Sequence, residues 1–226
     1  MISRISLVLF LALSLTFISC SDDDNGTDSN PQPANVLVVH ASPDAPGVDL
    51  LVDNAVAGTN LTFPNNTGYL PVSAGTRNIK VNVTGTSTSV ITADLTFMEN
   101  ENYSIFATDA VANLSPIVLE DDLTAPASGK AHVRFIHLSP DAPAVDVALQ
   151  GGAVVFGDYI FQENSAFTPL DAGTYDLEVR LAGTNTVVLP LPGIALQDGK
   201  IYTVFARGFV GGSDSQALNA QIIVNN

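Results

Sequence analysis

Apolar and polar residues alternate along several short segments of the chain. Every second side chain is apolar in TYDLEVRL, residues 174–181, and in NIKVNV, residues 78–83. A period of two places the apolar side chains on one face, which predicts half-buried strands. The segments VLVV, residues 36–39, and YTVF, residues 202–205, are more continuously apolar, which predicts strands in the middle of a sheet.

Turn-forming pairs separate these segments, among them Asp53-Asn54, Gly151-Gly152 and Asp198-Gly199. Beyond residue 20, no segment shows the 3.6-residue apolar period of an amphipathic helix. Short strands at a spacing of roughly eight to twelve residues predict a sandwich or a barrel. About seven strands in about 95 residues favour an all-β, immunoglobulin-like sandwich.

The chain contains an internal duplication. The stretch HASPDAPGVD, residues 40–49, returns as HLSPDAPAVD, residues 137–146, with eight of ten positions identical. Two further pairs keep the same order: VSAGT (72–76) with LDAGT (170–174), and YSIFA (103–107) with YTVFA (202–206). Offsets of 97, 98 and 99 residues fit a tandem repeat of a whole domain.

The repeat therefore predicts two tandem immunoglobulin-like β-sandwiches. We place repeat 1 at residues 35–122, a linker at 123–129 and repeat 2 at 130–226. The linker region is rich in proline and small residues, and it is short enough to keep the domains neighbours. An end-to-end arrangement, as in a stalk, is one that such a linker allows.

The N-terminal residues carry a secretory signal. Arg4 precedes an apolar run over residues 5–18, and the small residue Ser19 stands before Cys20, which predicts a signal peptide over residues 1–19. The run is too short for a spanning helix, which needs about 20 apolar residues. As the chain has one cysteine, no internal disulfide can form.

The sequence FISC, residues 17–20, resembles the lipobox of bacterial lipoproteins. That resemblance implies an acylated Cys20 anchored in the lipid bilayer; an ordinary signal with a chance cysteine is the alternative. Residues 20–34 then form a flexible acidic tether. Its SDDD run, residues 21–24, resembles a surface-export signal, which implies an outer-membrane lipoprotein facing the cell surface; the periplasmic face is the alternative.

The charge excludes one class of partner. Eight Lys and Arg oppose 23 Asp and Glu, a net charge of −15. Such a chain repels phosphate backbones, so we expect no nucleic-acid binding. Beyond the bilayer, the partners we expect are a glycan or a surface protein, and the sequence leaves the oligomeric state open.

The repeated stretch carries the residue types of a reactive site. His137, Ser139, Asp141 and Asp146 have the counterparts His40, Ser42, Asp44 and Asp49. Pro140 and Pro143 end ladder pairing, and Ser and Asp at such places bond nearby backbone N–H groups. We therefore interpret the stretch as a rigid structural corner between two strands, with ligand binding as a second reading.

Three chemical readings compete with the corner. A Ser-His-Asp triad is disfavoured because Ser139 precedes a proline and no glycine-rich elbow is present. A zinc site would have one histidine nitrogen per repeat. A Ca²⁺ site built on Asp44 with Asp49, or on Asp141 with Asp146, fits best of the three because Ca²⁺ prefers oxygen ligands. We predict no catalytic residue, metal or cofactor, and no enzymatic activity.

Two kinds of aromatic position stand out. Tyr103 and Tyr202 each follow a turn and begin an apolar strand, which resembles a tyrosine corner. Tyr69 and Phe167 occur two residues before a proline in each repeat. Exposed aromatics there could stack on sugars, but such residues more often belong to the core at a sheet edge.

These motifs together resemble the DUF4397 family. The resemblance rests on the stretch from Arg134 to Asp146, the Ala-Gly-Thr hairpins and the later Tyr strands, and it covers residues 35–226. Repeat 1 departs from it at Leu37, where repeat 2 has Arg134. The family implies secreted or surface β-domains and no assigned activity.

We therefore expect a non-enzymatic surface lipoprotein that acts as a binding, adhesion or stalk module. The alternative is a Ca²⁺-dependent or hydrolytic accessory protein that uses the repeated corner.

Overall fold

The computed structural model describes residues 31–226, which form two β-sandwiches. The strands of repeat 1 are β1 (Ala34–His40), β2 (Val48–Val52), β3 (Ala55–Leu61), β4 (Asn66–Val72), β5 (Gly75–Val83), β6 (Ser89–Phe97), β7 (Asn102–Thr108) and β8 (Ser115–Glu120). The strands of repeat 2 are β9 (Lys130–His137), β10 (Val145–Leu149), β11 (Val154–Tyr159), β12 (Thr168–Asp171), β13 (Gly173–Leu181), β14 (Val187–Leu196), β15 (Ile201–Arg207) and β16 (Asn219–Val224). Short 3₁₀ turns occur at Val111–Asn113 and Asp214–Gln216.

Each repeat consists of two four-stranded sheets. Their strand orders are β4-β1-β7-β8 and β3-β2-β5-β6 in repeat 1, and β12-β9-β15-β16 and β11-β10-β13-β14 in repeat 2. Pairing is antiparallel except between β1 and β7 and between β9 and β15, which are parallel. The predicted all-β class and the two sandwiches are confirmed, with eight strands in each repeat where about seven were expected.

Each sandwich has its own apolar core between its sheets. Val36 and Val38 of β1 meet Leu50 of β2 in repeat 1. Val133 and Phe135 of β9 meet Val147 of β10 in the same way. The period of two explains this packing, since alternate side chains of β1 and β9 point between the sheets.

A third core joins the two repeats. The remaining apolar side chains of the inner strands pack across the gap between the β1 and β9 sheets; they are Leu37, Val39, Ala41, Phe106, Ile136, Leu138, Phe205 and Ile223. The Phe106 and Phe205 rings meet edge to face, with centroids 5.8 Å apart. The repeats therefore pack face to face, and the end-to-end stalk is wrong. Both faces of β1 and β15 are buried, which explains why the segments VLVV and YTVF are continuously apolar.

A buried polar network crosses the same interface. The Arg134 guanidinium lies 2.7 Å from the Asp121 carboxylate, and both side chains are almost fully buried. The other Asp121 oxygen accepts hydrogen bonds from Tyr69 Oη and Ser104 Oγ, each at 2.5 Å. Arg134 also donates to Thr203 Oγ1 at 3.0 Å. One ion pair therefore links a strand of repeat 2 to the segment that ends repeat 1.

The contacts between the repeats also fix their relative direction. Arg134 of β9 lies near Ser104 of β7, Phe106 meets Phe205 farther along β7 and β15, and Arg207 lies over Phe63 beyond them. The inner strands of both repeats thus run the same way. Both repeated corners lie at one end of the molecule, here called the corner end, and the start of β1 lies at the opposite, tether end. Among residues 31–226 no helix is long and apolar enough to cross a membrane.

Candidate functional site

The two corner histidines are buried at the ends of β1 and β9. His40 Nε2 lies 2.9 Å from the carbonyl oxygen of Pro46, and His137 Nε2 lies 3.1 Å from that of Pro143. A carbonyl can only accept, so each Nε2 carries the proton and donates. Burial lowers the pKa of both rings below the ordinary 6.5. Each histidine is therefore a neutral donor that closes the corner on itself.

The serines and the first aspartates of the corners face neighbouring loops. Ser139 Oγ donates to the Gly208 carbonyl at 2.6 Å. Asp44 Oδ1 accepts from the Val111 N–H at 2.8 Å, with Ser42 Oγ 3.5 Å away.

In repeat 2, Asp141 Oδ1 accepts from the Val210 N–H at 2.9 Å. Asp44 and Asp141 therefore make the same contact, and each fastens its corner to the loop after the parallel inner strand, β7 or β15.

The second aspartate of each corner uses both carboxylate oxygens. Asp49 accepts from the N–H groups of Asn60 at 2.8 Å and Gly85 at 2.9 Å, and these bonds lower its pKa, Gly85 most strongly. Asp146 accepts from Asp158 at 2.7 Å and Gly183 at 2.9 Å.

Two of these N–H donors belong to β3 and β11, the strands that pair with β2 and β10. Asn60 and Asp158 have positive φ, 51° and 62°, at irregular points of β3 and β11 where ladder pairing is interrupted. Each carboxylate therefore satisfies backbone donors that the sheet leaves without a partner.

The corner residues do not converge on one another as a reactive site. The histidine rings donate to carbonyl groups, and Ser139 donates to a carbonyl of another loop. A nucleophilic serine would instead share a hydrogen bond with the ring. In the part of the chain that the structure describes, no group of three or more His, Cys, Asp or Glu side chains could hold a metal ion.

The two strand-initial tyrosines make equivalent contacts. Tyr103 Oη accepts from the Met98 N–H at 3.1 Å, and Tyr202 Oη accepts from the Gln197 N–H at 3.0 Å. Each bond closes the turn five residues upstream, which is the hydrogen bond that defines a tyrosine corner.

The other two aromatics contribute to the interface between the repeats. Tyr69 Oη donates to Asp121 and accepts from Asn225 Nδ2 at 3.0 Å, and burial, followed by the Asp121 charge, raises its pKa. Phe167 lies under the Arg134 guanidinium, 4.5 Å from it. The expectation of exposed sugar-stacking platforms is wrong for both rings, since each is half-buried against the other repeat.

The sequence analysis missed the partner of Arg134. Leu37, its counterpart in repeat 1, belongs to the third core, whereas Arg134 meets Asp121 of the other repeat. The break in the repeat at this position was the available signal, because a charge within a buried apolar strand needs a counter-charge. Its partner could not be read from the sequence.

Two cavities lie at opposite ends of the described residues. One, of about 570 Å³, lies at the corner end of repeat 2, with His137, Pro143, Val145, Val179, Val210 and Leu218 among its lining residues. The loop after β15, residues 208–218, forms one wall, whereas the loop after β7 is shorter and packs Leu114 against the core. The other, of about 430 Å³, lies in repeat 1 at the tether end.

Both repeats match a known domain family. A family model described as a domain of unknown function, DUF4397, matches residues 34–148 and again residues 140–226. The chain belongs to the DUF4397 family. The resemblance inferred from the corner motif is thereby confirmed, with two tandem copies. No curated protein matches the chain.

Membership in the DUF4397 family brings no activity with it, so function rests on the contacts above. The predicted signal peptide, the acylated Cys20 and the acidic run after it lie outside the described residues.

Proposed function

We propose that this DUF4397 protein is a non-enzymatic, lipid-anchored binding module of the outer membrane that faces the cell surface and takes a glycan or surface-protein ligand at its corner end. The observation that carries the proposal is the opposition of the two ends. The tether continues from the start of β1, while the cavity of about 570 Å³ opens at the other end. Loops on a rigid scaffold, held away from the attachment point, are a common place for recognition.

The chemistry of the corners supports binding over catalysis. Their carboxylates are engaged with backbone N–H groups and their imidazoles with carbonyl groups. Such groups hold loops in place and leave no paired base and nucleophile. A volume of about 570 Å³ lies within the usual range of ligand pockets, about 300–1,000 Å³. Its lining is mostly aliphatic, so the cavity would take an apolar side chain of a surface protein, whereas a glycan would contact the polar residues 213–216 of the loop beside it.

A binding screen tests the proposal. Full-length protein would be applied to a glycan array and to purified cell-surface proteins, and compared with Val210→Asp at the cavity wall. Val154→Asp is the matched control, since Val210 and Val154 are 52% and 49% exposed and Val154 lies at the tether end of repeat 2. We expect Val210→Asp alone to weaken binding; equal binding by all three proteins would contradict the proposal.

The anchor and the cation alternative have separate tests. Metabolic labelling with a fatty-acid probe should mark the wild-type protein and not Cys20→Ala. Protease added to intact cells should cleave a module that faces the cell surface.

A melting temperature that falls on addition of chelator would favour the Ca²⁺ alternative over the binding module; we expect no change.

A further inference from the structure

The cavity of repeat 1 is an open cleft between its two sheets, on the side where β3 and β4 meet. Its volume is about 430 Å³, and its lining includes Val36, Val38, Leu50, Val56, Leu70 and Ile105. The mouth is apolar as well, because the Val56 side chain is 63% exposed. This site is separate from the corner-end loops, but the inference drawn from it rests on the lipid anchor proposed above.

Repeat 2 has a smaller slot at the same place. The counterparts of Val36, Leu50 and Ile105 are Val133, Val147 and Val204, and they line a slot of about 170 Å³.

Two positions account for much of the difference. Phe135 of repeat 2 corresponds to Val38 of repeat 1. Phe156 corresponds to Gly58, because Phe156 pairs with Val147 and Gly58 pairs with its counterpart Leu50. The two phenylalanine rings stack with centroids 6.2 Å apart. Repeat 2 therefore fills this space with its own aromatic side chains, while repeat 1 leaves it open.

The residues that line the cleft favour an aliphatic ligand. None of the residues that line it is aromatic, and only Asp53 and Ser73 carry polar side chains. The Asp53 carboxylate is engaged, because it accepts from the Asn78 N–H at 2.9 Å and pairs with Arg77 at 3.4 Å. A sugar or a nucleobase would find no stacking surface and few hydrogen-bond partners. An aliphatic chain would replace the missing aromatic side chains with contacts of the same kind.

The position of the cleft favours a lipid as the source of that chain. Val72, which lines the cleft, pairs with Ala34 at the start of β1. Cys20, the expected anchor, precedes Ala34 by only 14 residues, a span of at most about 50 Å.

We propose that the open cleft of repeat 1 binds the alkyl chain of a fatty acid drawn from the membrane. The chain would lie between the sheets, against Val38 and Leu50, with its carboxylate in water at the mouth. Each methylene that enters the cleft adds to the affinity, because its apolar surface leaves water.

The test uses the full chain carrying Cys20→Ala, which removes the protein's own acyl acceptor. The probe is parinaric acid, a fluorescent polyene fatty acid, with palmitate and lysophosphatidylcholine as competitors. We expect a saturable rise in fluorescence that palmitate reverses. Displacement by lysophosphatidylcholine alone, or no saturable binding, would overturn the proposal of a fatty-acid site.

Filling the cleft locates the site. Val38→Phe with Gly58→Phe copies the side chains of repeat 2, and a Cβ at Gly58 meets no atom closer than 3.7 Å. We expect binding about tenfold weaker or worse, since several methylenes lose their place. Unchanged affinity in a folded double variant would overturn the proposal.

A second pair of variants avoids the core altogether. Val56 and Val154 occupy corresponding places on β3 and β11, and both are exposed, but only Val56 lines the cleft. Val56→Asp should weaken the binding of parinaric acid and Val154→Asp should not. Equal affinities for the two variants would count against the cleft whether or not the filled variant folds.

Discussion

At the scale of single residues, the repeated corner shows how the same side chains can serve a reactive or a structural purpose. A histidine, a serine and two aspartates within ten residues suggest chemistry, yet in repeat 2 each of these polar side chains bonds a backbone atom. The spacing allows this because the prolines turn the chain between the histidine and the second aspartate. The acceptor role of the aspartates could be anticipated from turn chemistry, but their donors, in loops 12 to 69 residues away, could not.

The two buried histidines should make the free energy of unfolding depend on pH. Their pKa is lowered in the folded state, so below the ordinary value of 6.5 the unfolded chain binds more protons than the folded one. The free energy of unfolding should therefore be highest above about pH 6.5 and should fall as the pH is lowered toward 5. Urea titrations across this range measure it.

The control for this prediction keeps the donor and removes the titration. His40→Gln with His137→Gln should give a flatter profile between pH 7 and 5, because glutamine has an N–H donor and no pKa in this range. If the free energy of unfolding of the wild-type protein does not change between pH 7 and 5, protonation of the rings does not destabilise the fold and the prediction is wrong.

At the scale of elements, loops and turns are held by local closures that the strands alone do not supply. The loop over residues 208–218 bonds to itself, with Phe209 N–H donating to the Gln216 carbonyl at 2.8 Å and Leu218 N–H to the Phe209 carbonyl at 3.0 Å. Gly208 permits the close approach, with φ of 86° and the Ala217 carbonyl against the place of a Cβ. The sequence shows Gly208, Gly211 and Gly212 in this loop, but not which of them the packing requires.

A pair of glycine variants separates close packing from backbone strain. Gly208→Ala should lower the free energy of unfolding by about 1–3 kcal/mol and disturb the corner-end cavity, because it adds a collision to the strained φ. Gly211→Ala has a φ of 76° but nothing within 4 Å of its Cβ, so it carries the strain alone. Chemical denaturation of both proteins measures the difference; equal losses would mean that the collision is relieved at no cost.

At the scale of the whole molecule, the two sandwiches behave as one body because a third core and one buried ion pair lie between them. Repeat 2 supplies Arg134 and repeat 1 supplies Asp121. Neither charge has a charged counterpart in the other copy: Leu37 stands in place of Arg134, and Asn225 follows β16 as Asp121 follows β8. The interface thus joins two different faces built from one duplicated sequence.

That asymmetry supplies its own test. Arg134→Leu should lower the free energy of unfolding by about 3–5 kcal/mol, because it leaves the Asp121 carboxylate buried without a counter-charge. Adding Asp121→Asn should restore much of the loss, since both substituents already occupy the corresponding places of the other repeat. Urea denaturation of the two variants measures this; a double variant no more stable than the single one would exclude an isolated charge as the cause.

The strand pattern shows how far local reasoning reaches. Alternation over residues 174–181 predicted β13, and the continuous apolar run over residues 36–39 predicted an inner strand of a sheet. The same run gave no indication that Leu37 and Val39 face the other repeat. Period and turn chemistry depend on neighbours in sequence, whereas a contact between sheets depends on how distant strands are arranged.

The sequence by itself determined the all-β class, the duplication and the position of the corner between two strands, because alternation, repeats and prolines act locally. Only the tertiary structure decided that the repeats pack face to face, that both corners lie at one end, and that Arg134 meets Asp121. It also decided that a cleft stays open beside Val38 in repeat 1, where Phe135 and Phe156 stack in repeat 2. These features depend on which side chains from distant strands share a space, and no local pattern contains that information.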